Sequence, residues 1–321
     1  GQGFKLQQPQ DKVSVEAGQT LTLICTLSGN VAPGPVRWLK GWGTGNKTIY
    51  DQREYSPRVT RAVVSDTDFT IHIRNVQPDD AGTYYCVKFV KTLTGEDEVF
   101  QRGNGTEVSV HAKPTPPLMS GPEQRARPEQ SVPFTCTTGG FFPRNIGVKW
   151  FKNKDPMLAQ LPQLTEWRVN SYNMSSTGMV TLQKEDVSSV LLCEVQHSTL
   201  PAPLRGTYQL SRALRVPPSV EVRAEPSPVE VNKTVNFTCH VKEFYPASVS
   251  VFWLENGIEI KVQAVSRLWK LPRGLFELRS QVEMQATEEK NGSMITCVVV
   301  HDAQAPVNDS AILRISNPAQ G

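Results

Sequence analysis

The stretch Asp80-Ala81-Gly82-Thr83-Tyr84-Tyr85-Cys86 decides the fold. A tyrosine two places before a cysteine sits where its hydroxyl can tie a turn to the backbone just upstream, on a strand that carries a buried disulfide. Reading back from it, Cys25 lies 61 positions earlier, and Trp38 stands between the two. Leu21, Leu23 and Cys25 alternate with Thr22, which puts the three on one face of a half-buried strand. Arg58, in Pro57-Arg58-Val59-Thr60, is placed to pair with Asp80 across the bottom of such a unit.

The same arrangement returns twice. Cys136 and Cys193 are 57 positions apart and Cys239 and Cys297 are 58 apart. Trp150 and Trp253 follow the first cysteine of each pair at nearly the offset of Trp38 from Cys25. A three-fold repeat of one spacing favours sequential pairing: Cys25 with Cys86, Cys136 with Cys193, Cys239 with Cys297. Cysteine, tryptophan and cysteine at these intervals form the immunoglobulin pattern, in which the tryptophan packs on a disulfide between two sheets. Phe134–Cys136, Val235–Phe237–Cys239, Leu191–Cys193–Val195 and Ile295–Cys297–Val299 alternate as inward faces of such sheets. The expected fold is all-β: three tandem immunoglobulin-like β-sandwiches, over residues 1–113, 114–216 and 217–321. Each disulfide closes a loop worth on the order of 4 kcal/mol, a useful addition in a domain with a modest core. Lys113-Pro114-Thr115-Pro116-Pro117 and Arg215-Val216-Pro217-Pro218 fall at the joints, where proline stiffens the connection. A semi-rigid rod is the expected shape.

The 321 residues include 34 basic and 31 acidic side chains, a net charge of +3. That balance gives little drive toward nucleic acid, and none is expected as a partner. No apolar run approaches the roughly 20 residues of a bilayer span, so a transmembrane segment is expected to be absent from this sequence. The sequence opens on Gly1 without an initiator methionine or a signal-peptide apolar run, which reads as a mature or trimmed form. Paired cysteines point to an oxidising, extracellular setting. Asn-x-Ser/Thr triplets at Asn46, Asn104, Asn173, Asn232, Asn236, Asn291 and Asn308 agree, as candidate glycosylation sites. Asn236 precedes inward-facing Phe237 and is expected to point to solvent.

The three units differ in kind. The first has the corner tyrosine and, after Cys86, the bulge Gly103-Asn104-Gly105-Thr106 leading into a closing strand over Glu107–Val110; it resembles a V-set domain. The second and third carry Phe142-Pro143 and Tyr245-Pro246 shortly after their first cysteines, and close with Cys193-Glu194-Val195-Gln196-His197 and Cys297-Val298-Val299-Val300-His301. These look like C1-set domains, with Leu191 and Ile295 in place of the corner tyrosine.

Val36-Arg37-Trp38, Lys40-Gly41, Ile49-Tyr50, Asp79 through Phe89, Ala112-Lys113-Pro114, Trp150-Phe151-Lys152, Pro203-Leu204-Arg205-Gly206 and Trp253-Leu254-Glu255-Asn256-Gly257 together resemble the signal-regulatory protein family over nearly the whole chain. The resemblance implies the extracellular part of a type I plasma-membrane receptor of myeloid and related cells. Its V domain would bind a protein on an opposing cell, the integrin-associated protein for several members. Inhibitory members signal through cytoplasmic tyrosine motifs, and activating members recruit a membrane adaptor through a transmembrane segment.

By the same resemblance the ligand-binding residues gather in three loops: Asn30, Val31, Ala32, Pro33 and Gly34; Gln52, Arg53 and Glu54; and Lys88, Lys91, Leu93, Glu96 and Asp97. Asp66 and Thr67 lie in a fourth connection, Val64-Ser65-Asp66-Thr67-Asp68-Phe69, which is shorter than the family pattern with its additional basic and Asn-rich residues. The short form removes one wall of the family's binding pocket. It turns the expectation toward an activating or orphan member with a different ligand. An inhibitory receptor for the integrin-associated protein, or an adhesion protein pairing in cis through the flat V-domain sheet, is the alternative. Trp42 near that sheet's edge is a candidate partner-facing aromatic.

No chemistry competes with binding. The five histidines show no metal spacing, and His197 and His301 recur at equivalent places, which reads as structural. Every cysteine is claimed by a disulfide, and Gly103-x-Gly105 lacks the context of a phosphate loop. Neither an enzyme nor a bound metal or cofactor is expected.

Overall fold

The computed structural model describes residues 3–54, 56–261 and 264–316. The ends of the first and last predicted units, residues 1–2 and 317–321, lie outside the described residues. The chain is all-β, with three cores each built around one disulfide: Cys25–Cys86, Cys136–Cys193 and Cys239–Cys297.

In the first unit, Lys12–Glu16, Thr106–His111, Gly82–Lys91, Val36–Lys40 and Lys47–Asp51 form one sheet in that spatial order, and Asp97–Arg102 also pairs with Gly82–Lys91. Leu21–Leu23, Ile71–Ile73 and Val59–Arg61 form the facing sheet. Lys12–Glu16 runs parallel to Thr106–His111; the other pairs are antiparallel. Alternation sends Leu21, Leu23, Ile71 and Ile73 inward against Trp38 and the disulfide. Trp38 keeps its indole N–H satisfied by donating to the Phe69 carbonyl at 2.8 Å. The corner forms as its residues dictate: the Tyr84 hydroxyl donates to the Asp80 carbonyl at 2.5 Å, and Arg58 Nη1 donates to the Asp80 carboxylate at 3.0 Å.

The second and third units repeat one plan. Leu118–Ser120, Ser131–Phe141, Ser171–Thr181 and Gln163–Arg168 face Asp155–Met157, Gly147–Lys152, Val190–Gln196 and Leu204–Gln209. Ser219–Glu225, Thr234–Phe244, Phe276–Gln285 and Val265–Lys270 face Ile258–Glu259, Val249–Glu255, Met294–His301 and Val307–Ile312. Trp150 and Trp253 donate to Ser176 Oγ (2.9 Å) and Ser280 Oγ (3.0 Å) on the facing sheet, and Leu191 and Ile295 are fully buried.

The aromatic-proline and Cys-x-Val-x-His motifs turn out to build the joints. Ala112, just before the first Pro-rich stretch, exchanges backbone hydrogen bonds with Phe142 (3.0 and 3.1 Å); Val216, just before the second, does so with Tyr245 (2.8 and 3.0 Å). Behind each aromatic, a histidine Nε2 meets the next carbonyl: His197 with Pro143 O at 2.7 Å and His301 with Pro246 O at 2.8 Å. Phe141 and Phe244 pack edge-on against those rings. The second joint is also fastened by Arg215 to Asp302 (2.9 Å) and Lys184 to Glu243 (2.7 Å), and Leu275 of the third unit is buried in the core of the second.

Candidate functional site: the loop end of the first domain

The loops that connect the sheets at the far end of the first unit are fastened to its strands. Backbone N–H groups of Phe89 and Lys91 donate to Pro35 O (2.9 Å) and Pro33 O (3.3 Å), so the first loop lies along the strand Gly82–Lys91. The close approach requires glycine at 34: a Cβ there would fall 2.0 Å from the Phe89 carbonyl oxygen. Asn30, Ala32 and Pro33 remain exposed above this rail, with Val31 and Gly34 partly covered.

Lys88 does not face outward with the loop residues. It is 6% exposed, and its ammonium donates to the Gly34 carbonyl at 2.5 Å. Alternation along the strand and the loop folded over it bury the stem, and burial pushes the ammonium pKa down. It therefore braces the first loop from beneath, while Lys91 stays exposed.

The second and third loops are joined by charge. Arg37 Nε donates to Asp51 (2.8 Å) and its Nη2 to Asp97 (2.8 Å); Arg53 Nη2 also reaches Asp97 at 3.1 Å and Arg53 Nε reaches Asp51 at 3.4 Å. Two arginines and two aspartates thus link a strand, the turn after Asp51 and the base of the last hairpin. Burial alone would raise both carboxyl pKa values; the arginine hydrogen bonds outweigh it and hold Asp51 and Asp97 below their ordinary range. Arg37 also lies 4.6 Å over the Phe89 ring. Gln52 is exposed yet accepts the Val36 N–H at 3.1 Å, which ties the second loop to the root of the first. Glu54 is exposed. The hairpin tip closes through Thr92 N–H to Glu96 O (2.7 Å) and Gly95 N–H to Thr92 O (3.0 Å), and it lifts Leu93 fully into solvent beside exposed Glu96.

The short connection is compact. Ser65 Oγ accepts the N–H groups of Thr67 (3.1 Å) and Asp68 (3.0 Å), and Arg61 Nη2 donates to Ser65 O at 2.6 Å. The Thr67 carbonyl accepts Leu27 N–H at 2.7 Å, so exposed Asp66 and Thr67 sit beside the start of the first loop.

Sequence reasoning placed Arg37 only in a family motif and missed its role as the hub of the network. Only the strand register, which sets Arg37 directly opposite Asp51 as an opposite-charge pair, brings the network together. Trp42 is 43% exposed; its ring lies 5.7 Å from Tyr85, and Arg102 sits over both. Beneath them Leu39, Val87 and Phe89 form a small buried cluster on the outer face of the sheet. Among the candidate glycosylation sites, Asn46, Asn104, Asn232, Asn236, Asn291 and Asn308 are exposed; Asn173 is partly covered and accepts the Gly140 N–H at 3.3 Å. No group of histidine, cysteine, aspartate or glutamate suited to a metal occurs among the described residues.

The family descriptions that match are the Immunoglobulin V-set domain, over residues 7–111, and the Immunoglobulin C1-set domain, over residues 116–200 and 220–304. Signal-regulatory protein beta-1 of Homo sapiens is 41% identical over 323 residues, which cover 96% of this chain and 79% of that protein. The chain belongs to the signal-regulatory protein family. A second relative, Tyrosine-protein phosphatase non-receptor type substrate 1 of Bos taurus, is 44% identical over 97% of this chain, and the match spans 62% of that longer protein. Its name describes a substrate of a phosphatase. Among solved structures, "Crystal Structure of Rst D1-D2" aligns with a TM-score of 0.50 at 18% identity, over 65% of this chain and 98% of that one, a likeness of fold. In signal-regulatory protein terms, the unit that holds the fastened loops is the V-set domain, and the two units with histidine-backed joints are the C1-set domains.

Proposed function

We propose that this chain is the extracellular part of a type I signal-regulatory receptor at the plasma membrane, which binds a protein on an opposing cell through the loop end of its V-set domain. The observation that carries this reading is the fastening of three loops into one platform by Lys88–Gly34, Val36–Gln52 and the Arg37–Asp51–Arg53–Asp97 network. A platform ordered before contact pays less entropy on binding, and its exposed mixed charges select a partner more than they hold it. Asn30, Ala32, Pro33, Gln52, Arg53, Glu54, Lys91, Leu93 and Glu96 are the exposed residues, with partly covered Val31 among them and Asp66 and Thr67 beside them. The compact Val64–Phe69 turn favours an activating or orphan member, coupled to an adaptor within the membrane, over an inhibitory receptor for the integrin-associated protein.

Surface plasmon resonance with the immobilised integrin-associated protein ectodomain separates these. No binding by monodisperse protein supports the orphan assignment; binding abolished by Gln52→Ala with Lys91→Ala supports the alternative ligand. The platform reading itself is tested with the chain as a cell-staining probe. Staining is expected to disappear with Leu93→Asp and persist with Arg223→Ala on the third domain, and equal staining by both variants would overturn it.

Pairing in cis through the V-domain sheet is a second reading, supported by half-exposed Trp42, packed on Tyr85, and half-exposed Val99, opposite Phe89, beside the Leu39–Val87–Phe89 cluster. Sedimentation velocity on wild type and Trp42→Asp tests it: a monomer at tens of micromolar removes it.

A further inference from the structure

The outer face of one sheet of the third domain carries two arginines that, among the described residues, have no carboxylate partner. Side chains alternate along Phe276–Gln285, so Arg279 is exposed between buried Leu278 and Ser280. Register places Arg267, on the neighbouring edge strand, directly opposite Arg279, and Arg279 directly opposite His240. The nearby carboxylates are already engaged. Glu277 meets His240 Nε2 at 3.0 Å, and Glu221 takes Lys242 Nζ at 2.7 Å and Arg223 Nε at 2.9 Å. Among the described residues no carboxylate pairs with Arg267 or Arg279. Like charges directly opposite in an antiparallel pair have Cβ atoms about 5 Å apart and repel. No carboxylate among the described residues offsets that repulsion.

An anion set between the two guanidinium groups reverses that sign. The planar fork of arginine matches a carboxylate with two parallel hydrogen bonds. Trp269 steadies one of the forks: it stacks on His240 with centroids 6.1 Å apart, and the Arg279 guanidinium lies 5.7 Å from its ring. Two free cations with occupied neighbours suit one anionic group, whereas a polysulfated chain needs a longer line of unpaired bases. Asn236, a glycosylation triplet, points outward from the same sheet on the strand of His240, about 13 Å further along at strand rise.

We propose that Arg267 and Arg279 form a binding site for the carboxylate-bearing terminal sugar of a sialylated glycan, carried either on Asn236 of the same chain or on a neighbouring molecule. This goes beyond the V-domain reading and does not depend on it.

The test follows arginine Nε–H signals by NMR in the whole chain while 3′-sialyllactose is added, with lactose as the uncharged control. Saturable shifts at Arg267 and Arg279 with sialyllactose alone are expected. Arg267→Ala with Arg279→Ala is expected to weaken binding at least tenfold with little change in melting temperature, since relief of the repulsion offsets the lost contact of Arg279 with Trp269. Arg267→Lys is expected to lose part of the affinity, and Arg223→Ala, whose arginine is already paired, none. Sialidase treatment of glycosylated protein distinguishes the sources: tighter binding of added sugar means that the chain's own glycan had occupied the site, and unchanged binding means a sugar presented from outside. Shifts that never saturate, equal shifts with lactose, undiminished binding by the double alanine variant, or a heparin fragment that binds equally well and engages Arg223 too would each overturn the proposal.

Discussion

The Lys88 ammonium donates to the Gly34 carbonyl at 2.5 Å, from a strand whose neighbouring residues are buried, and so supports the first loop from inside the domain. The contact exists because the backbone at Gly34 lies directly against Phe89.

Gly34→Ala is the sharpest test of that fit. A methyl group 2.0 Å from the Phe89 oxygen cannot be accommodated by a side-chain shift, so the loop must lift off the strand. A loss of about 1–3 kcal/mol is expected, read from chemical denaturation of the V-set domain. Faster amide exchange at Phe89 and Lys91, whose N–H groups the loop now covers, is the accompanying signature.

Lys88→Met separates stability from order. Methionine fills the channel of the lysine stem and removes the cost of burying an ammonium, so the melting temperature is expected to hold or rise. The Gly34 carbonyl loses its donor, and the loop becomes more mobile by NMR relaxation. In the wild type, burial depresses the folded-state pKa of Lys88, so the unfolded chain binds the proton more tightly. Stability at this group therefore increases as pH rises through the depressed value toward 10.5, and Lys88→Met abolishes the increment.

The arginine–aspartate network predicts non-additive mutations. Asp51→Asn and Asp97→Asn each remove a partner of the shared Arg37, so a double-mutant cycle is expected to give a coupling of about 0.5–3 kcal/mol. Additive losses would mean that the two pairs act independently. Both carboxyl groups lie below their ordinary 3.8 in the folded chain, as does Asp80, so their stabilisation is complete above that value. It is lost as pH falls below it, and an acid melt of the V-set domain should show a steeper limb than that of the Asp51→Asn variant.

At the other end, His301 is buried against Phe244, and burial holds its pKa below 6.5 despite the Pro246 hydrogen bond. The unfolded chain takes up the proton first, so the third domain is expected to lose stability as pH falls from 6.5 through the lower folded value. His301→Gln should flatten that slope in thermal melts between pH 7 and 5.

How far these features were readable in advance depends on what fixes each one. The Cys–Trp–Cys intervals gave the three sandwiches because a disulfide and its tryptophan demand a set number of residues between strands. The Tyr84 corner and the Arg58–Asp80 pair were legible because they are part of that same turn geometry. Lys88 was not: its place near a loop suggested exposure, and nothing in the alternation of Val87, Lys88 and Phe89 shows that Pro33 and Gly34 fold back over it. The Arg37 network joins residues 14 and 60 positions apart, and only strand register brings them together. The proline motifs were seen as markers of domain type; their work in the joints depends on hydrogen bonds between domains.

The three disulfides also decide how this chain responds to tension along its length. Each bridge ties strands of opposite sheets across separations of 61, 57 and 58 residues. Tension that enters a domain at its first cysteine crosses the sulfur bridge and leaves at the second, so the residues between them bear no load. A domain that yields can pay out only the chain outside its bridge, and the three-domain chain keeps its reach short under stress.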